Sequence, residues 1–180
     1  SKKLSMKKFP IITFFVIAIV TLISCKDDNN LDDYKEWRNL NNNWLAEIEL
    51  SSGSYYSKVV PSYDKGQYVL MHWFNDRNST AGNLKPYYTS TVAVKYIGRL
   101  YNNEAFDSSY LAPDSLFKTK VNSVIPGWTI ALQEMHVGDS VEVIIPYQSA
   151  YGTSGTGKIL PFSNLKFNIK LVDITNWETK

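Results

Sequence analysis

Residues 124–139, with the sequence VIPGWTIALQEMHVGD, decide the fold class. A proline–glycine pair marks a helix entry, and apolar residues then recur through residues 128–135 over about two helical turns. Gly138 follows as a stop signal, because glycine readily takes the positive φ that ends a helix. The stretch therefore predicts a single short helix, and the sequence on either side of it indicates what covers that helix.

Strand-forming segments lie on both sides of the predicted helix. Residues 68–73 and 141–145 are rich in β-branched and aromatic side chains. Residues 89–100 and 165–172 alternate between apolar and polar, as half-buried antiparallel strands do. Several strands and one short helix predict an α+β fold, in which a curved antiparallel sheet, a half-barrel, wraps around the helix.

An N-terminal extension precedes this domain. Apolar residues recur at helical spacings of three and four through residues 31–49, which predicts an amphipathic helix; they are Leu31, Tyr34, Trp37, Leu40, Trp44, Leu45 and Ile48. The run of three asparagines at 41–43 weakens the middle of that helix. Its apolar stripe is open to two interpretations, namely packing on its own domain or pairing with a second copy in a homodimer.

The predicted organisation has four parts. Residues 1–25 form a signal peptide, and residues 26–66 form a polar tether, the amphipathic helix and a loop-rich connector. Residues 67–174 form the main domain, and residues 175–180 form a C-terminal tail. Removal of residues 26–50 is expected to leave the activity of the main domain nearly unchanged.

Composition and charge exclude several classes of protein. The chain has 180 residues, of which 44% are hydrophobic and 14% aromatic, which is too apolar for a disordered protein. Residues 1–25 carry four lysines and no acid, so the remainder has 15 basic and 17 acidic residues. That balance leaves no basic footprint for nucleic acid. One cysteine excludes an intrachain disulfide, and two histidines leave little for a zinc site.

The N-terminus predicts a lipid anchor. Met6 is followed by two lysines and an apolar run over residues 9–23, which is shorter than the roughly 20 residues of a membrane-spanning helix. The run ends in the sequence LISC at 22–25, which resembles a bacterial lipobox and makes Cys25 the lipidated residue. The alternative is an uncleaved signal anchor. The residues KDD at 26–28 resemble an outer-face sorting signal, or they are an ordinary polar tether. The predicted location is the bacterial outer membrane, periplasmic or surface-exposed.

A series of short segments, taken in order, resembles the motifs of the FKBP-type peptidyl-prolyl isomerases. They are VKYIGRL at 94–100, FDSS at 106–109, VIPGW at 124–128, MHVGD at 135–139, IP at 145–146, AYG at 150–152, ILP at 159–161 and LKF at 165–167. Each motif alone is weak, but their order and spacing together are specific. The resemblance covers residues 67–174, leaves residues 26–66 uncovered, and implies a shallow apolar pocket between sheet and helix.

The resemblance implies ten pocket positions. The catalytic positions are Tyr96, Phe106, Asp107, Trp128, Tyr151 and Phe167. The substrate-binding positions are Phe117, Val124, Ile125 and Ile159. Trp128 would form the floor, and the backbone N–H of Ile125 and the hydroxyl of Tyr151 would hold substrate carbonyls. Without the resemblance, Trp128 reads as a core residue, Asp107 as a turn or capping acid, and Tyr151 as a structural tyrosine.

The implied activity is cis–trans isomerisation of X–Pro bonds in exported or envelope proteins. Rotation about a peptide bond breaks no covalent bond, so it requires no nucleophile, metal or cofactor. An apolar aromatic pocket would stabilise the twisted amide over the planar one. The implied partners are proline-containing polypeptides and macrolide inhibitors. The alternatives are a weakly active or inactive chaperone or binding lipoprotein on the same fold, and a structural lipoprotein.

Three departures from the family pattern leave catalytic efficiency and macrolide binding open. Many relatives carry an arginine shortly after the Asp-Ser-Ser segment, whereas this chain has Tyr-Leu-Ala at 110–112. Ser123 stands where some relatives have an acid. Thr156 replaces a ring-bearing residue in the loop over the pocket.

Overall fold

The computed structural model describes residues 31–51 and 53–176. The predicted signal peptide, Cys25 and the tether up to residue 30 lie outside the described residues, as do residues 177–180. Within the described ranges the chain forms two α-helices and seven strands. In chain order they are α1 Lys35–Ser51, β1 Ser57–Val59, β2 Val69–Trp73, β3 Thr91–Leu100, β4 Ala105–Ser108, β5 Phe117–Lys120, α2 Pro126–Leu132, β6 Ser140–Ile145 and β7 Leu165–Asn176.

All seven strands join one antiparallel sheet in the order β1-β2-β6-β7-β3-β4, with β5 also paired to β3. The long strands β3 and β7 pair over their whole length, from Thr91 opposite Asn176 to Leu100 opposite Leu165. Their inward side chains, such as Val94 and Phe167, are buried, and the alternation predicted for both strands is confirmed. The predicted α+β class is therefore confirmed.

Helix α2 lies against the inner face of this sheet. It begins at Pro126, a residue pre-organised for the first helical position, and all its residues from Gly127 to Leu132 are buried. The helix begins two residues earlier than the predicted range of 128–135 and ends at Leu132, after which residues 133–134 form a turn. A Cβ on Gly127 would lie 2.3 Å from a methyl carbon of Ile145, so the absent side chain allows α2 to approach β6 closely.

Helix α1 packs on the same domain, which is one of the two interpretations of its apolar stripe. A 3-10 turn at Leu31–Tyr34 leads into α1, which therefore covers the predicted range of 31–49. The Trp37 ring meets the Tyr101 ring edge-on, with their centroids 5.2 Å apart. Asn41, which was expected to weaken the helix, is its fully buried residue. None of the helices in the described residues is long and apolar enough to cross a membrane.

The sheet extends beyond the predicted limits of 67–174 at both ends. Strand β1 falls within the predicted connector and pairs with β2, where Ser57 lies opposite Met71. Strand β7 continues to Asn176, into the predicted tail. Three residues of mixed polarity carry no alternation that could be recognised in the sequence, so the pairing of β1 depends on the position of β2.

Candidate active site

A cleft of about 320 Å³ lies between helix α2 and the inner face of the sheet. It is lined by Tyr96, Phe106, Asp107, Phe117, Ser123, Val124, Ile125, Trp128, Tyr151 and Phe167. Nine of the ten positions predicted from the sequence are therefore brought together, although they come from four strands, one helix and the loops between them. A cleft with this many aromatic walls is suited to a compact apolar group such as a proline ring.

Trp128 lines the cleft from helix α2. Its side chain is only 4% exposed, because α2 presents it to the sheet. The ring centroids of Tyr96 and Phe167 lie 5.0 and 5.3 Å from that of Trp128, and both pairs meet nearly at right angles. Phe117 completes the wall at 6.2 Å, and it is held there because β5 pairs with β3 at Val94. Edge-to-face contacts of this kind stabilise ring positions beyond simple burial.

Gly98 provides the space for two of these rings. A Cβ at this position of β3 would lie 2.6 Å from the ring of Phe167 and 2.7 Å from the ring of Phe106. Phe106 and Phe167 themselves meet at 90° with centroids 5.6 Å apart. The absent side chain of Gly98 therefore allows both rings to pack closely against β3 at one side of the cleft.

Asp107 is the carboxylate of the cleft, and it is oriented by Tyr96. The Tyr96 hydroxyl donates a hydrogen bond of 2.5 Å to Oδ2 of Asp107, and the backbone N–H of Ser108 donates to Oδ1 at 2.8 Å. Burial, and then this hydrogen bond, raise the pKa of Tyr96 above its usual range, so the hydroxyl stays a donor. These two donors hold the carboxylate in place. The arginine that many relatives carry shortly after the Asp-Ser-Ser segment is absent from residues 110–112.

Two polar groups of the cleft are free to face a ligand. The Tyr151 hydroxyl makes no hydrogen bond with another described residue, and its ring is 37% exposed. Burial, and the nearby charge of Asp107, raise the pKa of Tyr151, so that it too remains a neutral donor. Ile125 is the N-cap of α2, and its N–H precedes the hydrogen bonds of the helix. That these two groups bind substrate carbonyls stays a prediction.

Ile159 and Ser123 differ from the prediction. Ile159 does not line the cleft; it is 6% exposed within the hydrophobic core, and its backbone pairs with Thr156 through hydrogen bonds of 2.7 and 2.8 Å. The pairing closes its own loop, and this turns the side chain inward. Ser123 does line the cleft. Its position directly before Val124 was the available signal, but a small hydroxyl residue carries no pattern that marks it as a pocket residue.

The donor set of the cleft contains one carboxylate and no histidine or cysteine. Within residues 31–51 and 53–176, no three histidine, cysteine, aspartate or glutamate side chains lie close enough together to hold a metal ion. The chemistry that these side chains can perform is desolvation, hydrogen bonding and shape selection.

Comparison with known proteins gives one consistent result. A family model described as FKBP-type peptidyl-prolyl cis-trans isomerase matches residues 82–172, just over half of the chain. The FKBP-type 22 kDa peptidyl-prolyl cis-trans isomerase of Escherichia coli is 44% identical over 90 residues, which are 49% of this chain and 43% of that protein. The peptidyl-prolyl isomerase FkpA of the same species is 37% identical over 86 residues, which are 48% of this chain and 32% of that protein.

Solved structures agree with these matches. A peptidyl-prolyl isomerase from Pseudomonas syringae superposes with a TM-score of 0.62 at 27% identity, over 77% of this chain and 95% of that chain. FkpA from Escherichia coli superposes with a TM-score of 0.66 over 79% of this chain and 63% of that chain; at 24% identity it supports the fold alone. The chain spans a third to a half of the length of the curated relatives named above. Because the family model matches more than half of the chain, the chain belongs to the FKBP-type peptidyl-prolyl cis-trans isomerase family.

Proposed function

We propose that this protein catalyses cis–trans isomerisation of X–Pro bonds in exported or envelope polypeptides, in the cleft above Trp128. The observation that carries the proposal is the joining of nine predicted family positions in one aromatic cleft. The proline ring would lie on the indole of Trp128, between Tyr96 and Phe167. The residue before proline would lie toward the exposed rim near Phe117, where an apolar side chain is favoured.

The proposed mechanism uses differential stabilisation of the twisted amide. In the transition state the amide loses resonance, so its carbonyl and nitrogen are less polarised. The twisted amide therefore loses less hydration free energy than the planar amide when it leaves water. The apolar cleft favours that state, while the Ile125 N–H and the Tyr151 hydroxyl hold substrate carbonyls in place. An uncatalysed barrier of about 20 kcal/mol makes the reaction slow. A thousandfold acceleration needs about 4 kcal/mol, which burial and two oriented hydrogen bonds can supply.

The test is NMR exchange spectroscopy of a short peptide with an apolar residue before proline. The wild-type chain should accelerate exchange between cis and trans signals, and Phe167→Ala should abolish most of that acceleration while its circular dichroism spectrum stays native. Trp128→Ala serves as the second variant. A folded wild-type protein without measurable acceleration would refute the proposal.

A second candidate function is peptide holding with little catalysis. Two aromatic side chains that line the cleft are exposed, Phe117 at 38% and Tyr151 at 37%. Such a rim favours binding of unfolded segments. In that case the protein would suppress aggregation of a denatured client, and Phe167→Ala would leave that suppression unchanged. Suppression that disappears with catalysis in the same variant would assign both to one cleft.

The lipoprotein form is also part of the proposal. The supporting observation is the sequence LISC at 22–25, where the single cysteine of the chain ends an apolar run. Lipids on Cys25 would hold the protein to the outer membrane, on its periplasmic face or on the cell surface. In a bacterial host, an alkyne-labelled fatty acid should be incorporated into the wild type and not into Cys25→Ser. Equal labelling of both would refute the anchor, and protease treatment of intact cells would distinguish the two faces.

Two further partners belong to the proposal. A homodimer through residues 31–49 would have to use the outward side of α1, where Leu40 is 42% exposed, since the side with Trp37 and Asn41 contacts its own domain. Sedimentation of wild type and Leu40→Glu tests this pairing. Macrolide inhibitors are proposed ligands of the cleft, and inhibition of the NMR exchange by a macrolide tests their binding. No nucleic acid partner is proposed.

A further inference from the structure

We infer that helix α1 belongs to the active site as a positioning element, and that Asn41 acts on the cleft through the loop that carries Tyr151. The inference rests on the proposed function. It adds a role for a segment that the family model, which begins at residue 82, does not include. The family positions in the cleft all lie between residues 96 and 167, so nothing in them assigns a role to α1.

The first step is a buried interlock of two asparagines. Asn41 is 0% exposed, and its Oδ1 accepts the backbone N–H of Asn164 at 2.9 Å. The side-chain amide of Asn164 in turn donates to the backbone carbonyl of Asn41 at 2.8 Å. The Asn41 amide donates to the carbonyl of Trp37, one helical turn earlier. Helix α1 is therefore hydrogen-bonded to the segment just before β7, although the two residues lie 123 positions apart.

The second step leads from Asn164 to the cleft. Oδ1 of Asn164 accepts the backbone N–H of Tyr147 at 2.8 Å, and the Tyr147 carbonyl accepts the N–H of Gly152 at 2.9 Å. The Gly152 carbonyl then accepts the N–H of Phe162 at 3.0 Å. Tyr151 lies directly before Gly152 inside this ring of bonds. Its hydroxyl position consequently depends on where Asn164 holds the loop.

The third step is a separate contact of α1 with the same segment. Trp37 donates from Nε1 to the hydroxyl of Ser163 at 3.0 Å, and that hydroxyl donates to the carbonyl of Leu160 at 2.7 Å. The guanidinium of Arg38 lies 4.7 Å from the ring centre of Phe162. Phe162 has a φ of +63°, a conformation that bulky residues rarely adopt unless their surroundings hold them. Helix α1 supplies part of those surroundings.

Loss of the Asn41 side chain would leave the buried backbone N–H of Asn164 without its acceptor, while the bond from the Asn164 amide to the backbone carbonyl of residue 41 remains. An unpaired buried group is costly, so the segment is expected to shift until water or another group satisfies it. The shift would pass along the Tyr147–Gly152 bonds and displace the Tyr151 hydroxyl from a substrate carbonyl. A small displacement of a positioned group reduces catalysis even when the fold stays intact.

The experiment compares two neighbouring asparagines of α1 in the full chain, purified in detergent. Asn41→Ala removes the side-chain bonds of the interlock, whereas Asn42→Ala alters an exposed residue of the same helix and is the matched control. At a temperature at which both variants are fully folded, kcat/KM for the proline peptide should fall about fivefold in Asn41→Ala and stay unchanged in Asn42→Ala. Trp37→Phe, which keeps the ring and loses the donor to Ser163, should show a smaller fall in the same direction.

A double-mutant cycle separates positioning from general loosening. In the Tyr151→Phe background the hydroxyl is already absent, so adding Asn41→Ala should lower kcat/KM by much less than fivefold. Amide shifts of Tyr151 and Gly152 should also move in Asn41→Ala and not in Asn42→Ala. Additive effects in the cycle, or unchanged shifts at Tyr151, would overturn the inference in an active enzyme.

Failure of the proposed function has a different signature. If the wild-type chain shows no catalysis, the amide shifts of Tyr151 still report whether α1 positions the loop. Movement of those shifts on Asn41→Ala would then support positioning of the cleft without isomerisation, and unmoved shifts would overturn the positioning itself.

Discussion

Tyr96 contributes to the cleft with both its ring and its hydroxyl. The ring meets Trp128 edge-on, and the hydroxyl orients the carboxylate of Asp107. We expect Tyr96→Phe to keep the aromatic wall of the cleft but to lose the hydrogen bond that orients the Asp107 carboxylate. Its kcat/KM should fall about fivefold, equivalent to about 1 kcal/mol of transition-state stabilisation.

Proline-peptide exchange measured by NMR checks this expectation. Tyr110→Phe is the matched control, since that tyrosine is exposed and does not line the cleft. An unchanged rate in Tyr96→Phe would show that the orientation of Asp107 does not contribute to catalysis.

Asp139 is a residue of the structural core rather than of the cleft. Burial tends to raise the pKa of its carboxyl, but hydrogen bonds from the His136 N–H, the Thr80 hydroxyl and the Asn75 amide outweigh burial and lower the pKa below 3.8. The unfolded chain therefore takes up this proton first as the pH falls. The stabilisation is complete above about pH 4 to 5 and is lost as the pH drops through the folded-state pKa.

This pH dependence can be measured by urea unfolding at pH 7 and at pH 3. Asp139→Asn should lower the free energy of unfolding by about 2 kcal/mol at pH 7, and the difference from wild type should shrink at pH 3. Asp114→Asn, in an exposed turn, should match the wild type at both values. If Asp139→Asn lowers the free energy of unfolding equally at both pH values, the ionised form of the Asp139 carboxyl does not contribute to stability.

At the level of a single strand, β3 combines sheet pairing with room for the cleft. Gly98 both pairs within the sheet and leaves room for the cleft, because any side chain there would clash with Phe106 and Phe167. Gly98→Ala should destabilise the fold by about 1 to 3 kcal/mol and reduce kcat/KM, since both rings must move. Gly82→Ala, with open space around the new methyl group, should stay within about 0.5 kcal/mol of wild type.

Thermal unfolding and peptide exchange on the two glycine variants check this pair. If Gly98→Ala keeps full activity, then the rings can repack without loss of the cleft. If Gly82→Ala is as unstable as Gly98→Ala, the effect comes from the backbone preferences of glycine rather than from the clash.

At the level of the whole molecule, the extension and the sheet form one hydrogen-bonded unit. Deletion of residues 31–51 removes at least three buried or half-buried hydrogen bonds to the segment before β7. At about 1 kcal/mol each, the loss should be about 3 kcal/mol, or about 10 °C in Tm. Activity on short peptides should fall as well, contrary to the expectation drawn from the sequence.

Differential scanning calorimetry and peptide exchange on the deleted chain test this. A Tm within about 2 °C of the wild type would show that α1 adds little to the domain. Unchanged activity at a lowered Tm would show that the helix stabilises the fold without contributing to the cleft.

Local patterns accounted for the α+β class and for four of the seven strands, whereas nine of the ten cleft positions came from the resemblance to the family motifs. Alternation in β3 and β7 and the apolar turns around Trp128 depend on neighbours in sequence, so they can be read without a structure. The family motifs then placed Phe106, Asp107 and Tyr151, since a motif preserves spacing. Residues such as Ser123 carried no comparable signal.

The amino-acid sequence by itself determined the α+β class and the four longer strands, because these follow from periodicity and composition over a few residues. The aromatic character of the cleft followed from the resemblance of its motifs to the FKBP-type family. Only the tertiary structure decided that β1 joins the sheet, that Ile159 turns into the core and that Asn41 is buried against Asn164. Each of those outcomes depends on a partner far away in sequence, and hydrogen bonding between distant polar groups leaves no periodic trace. A polar residue in a helix reads as solvent-exposed until its partner is known.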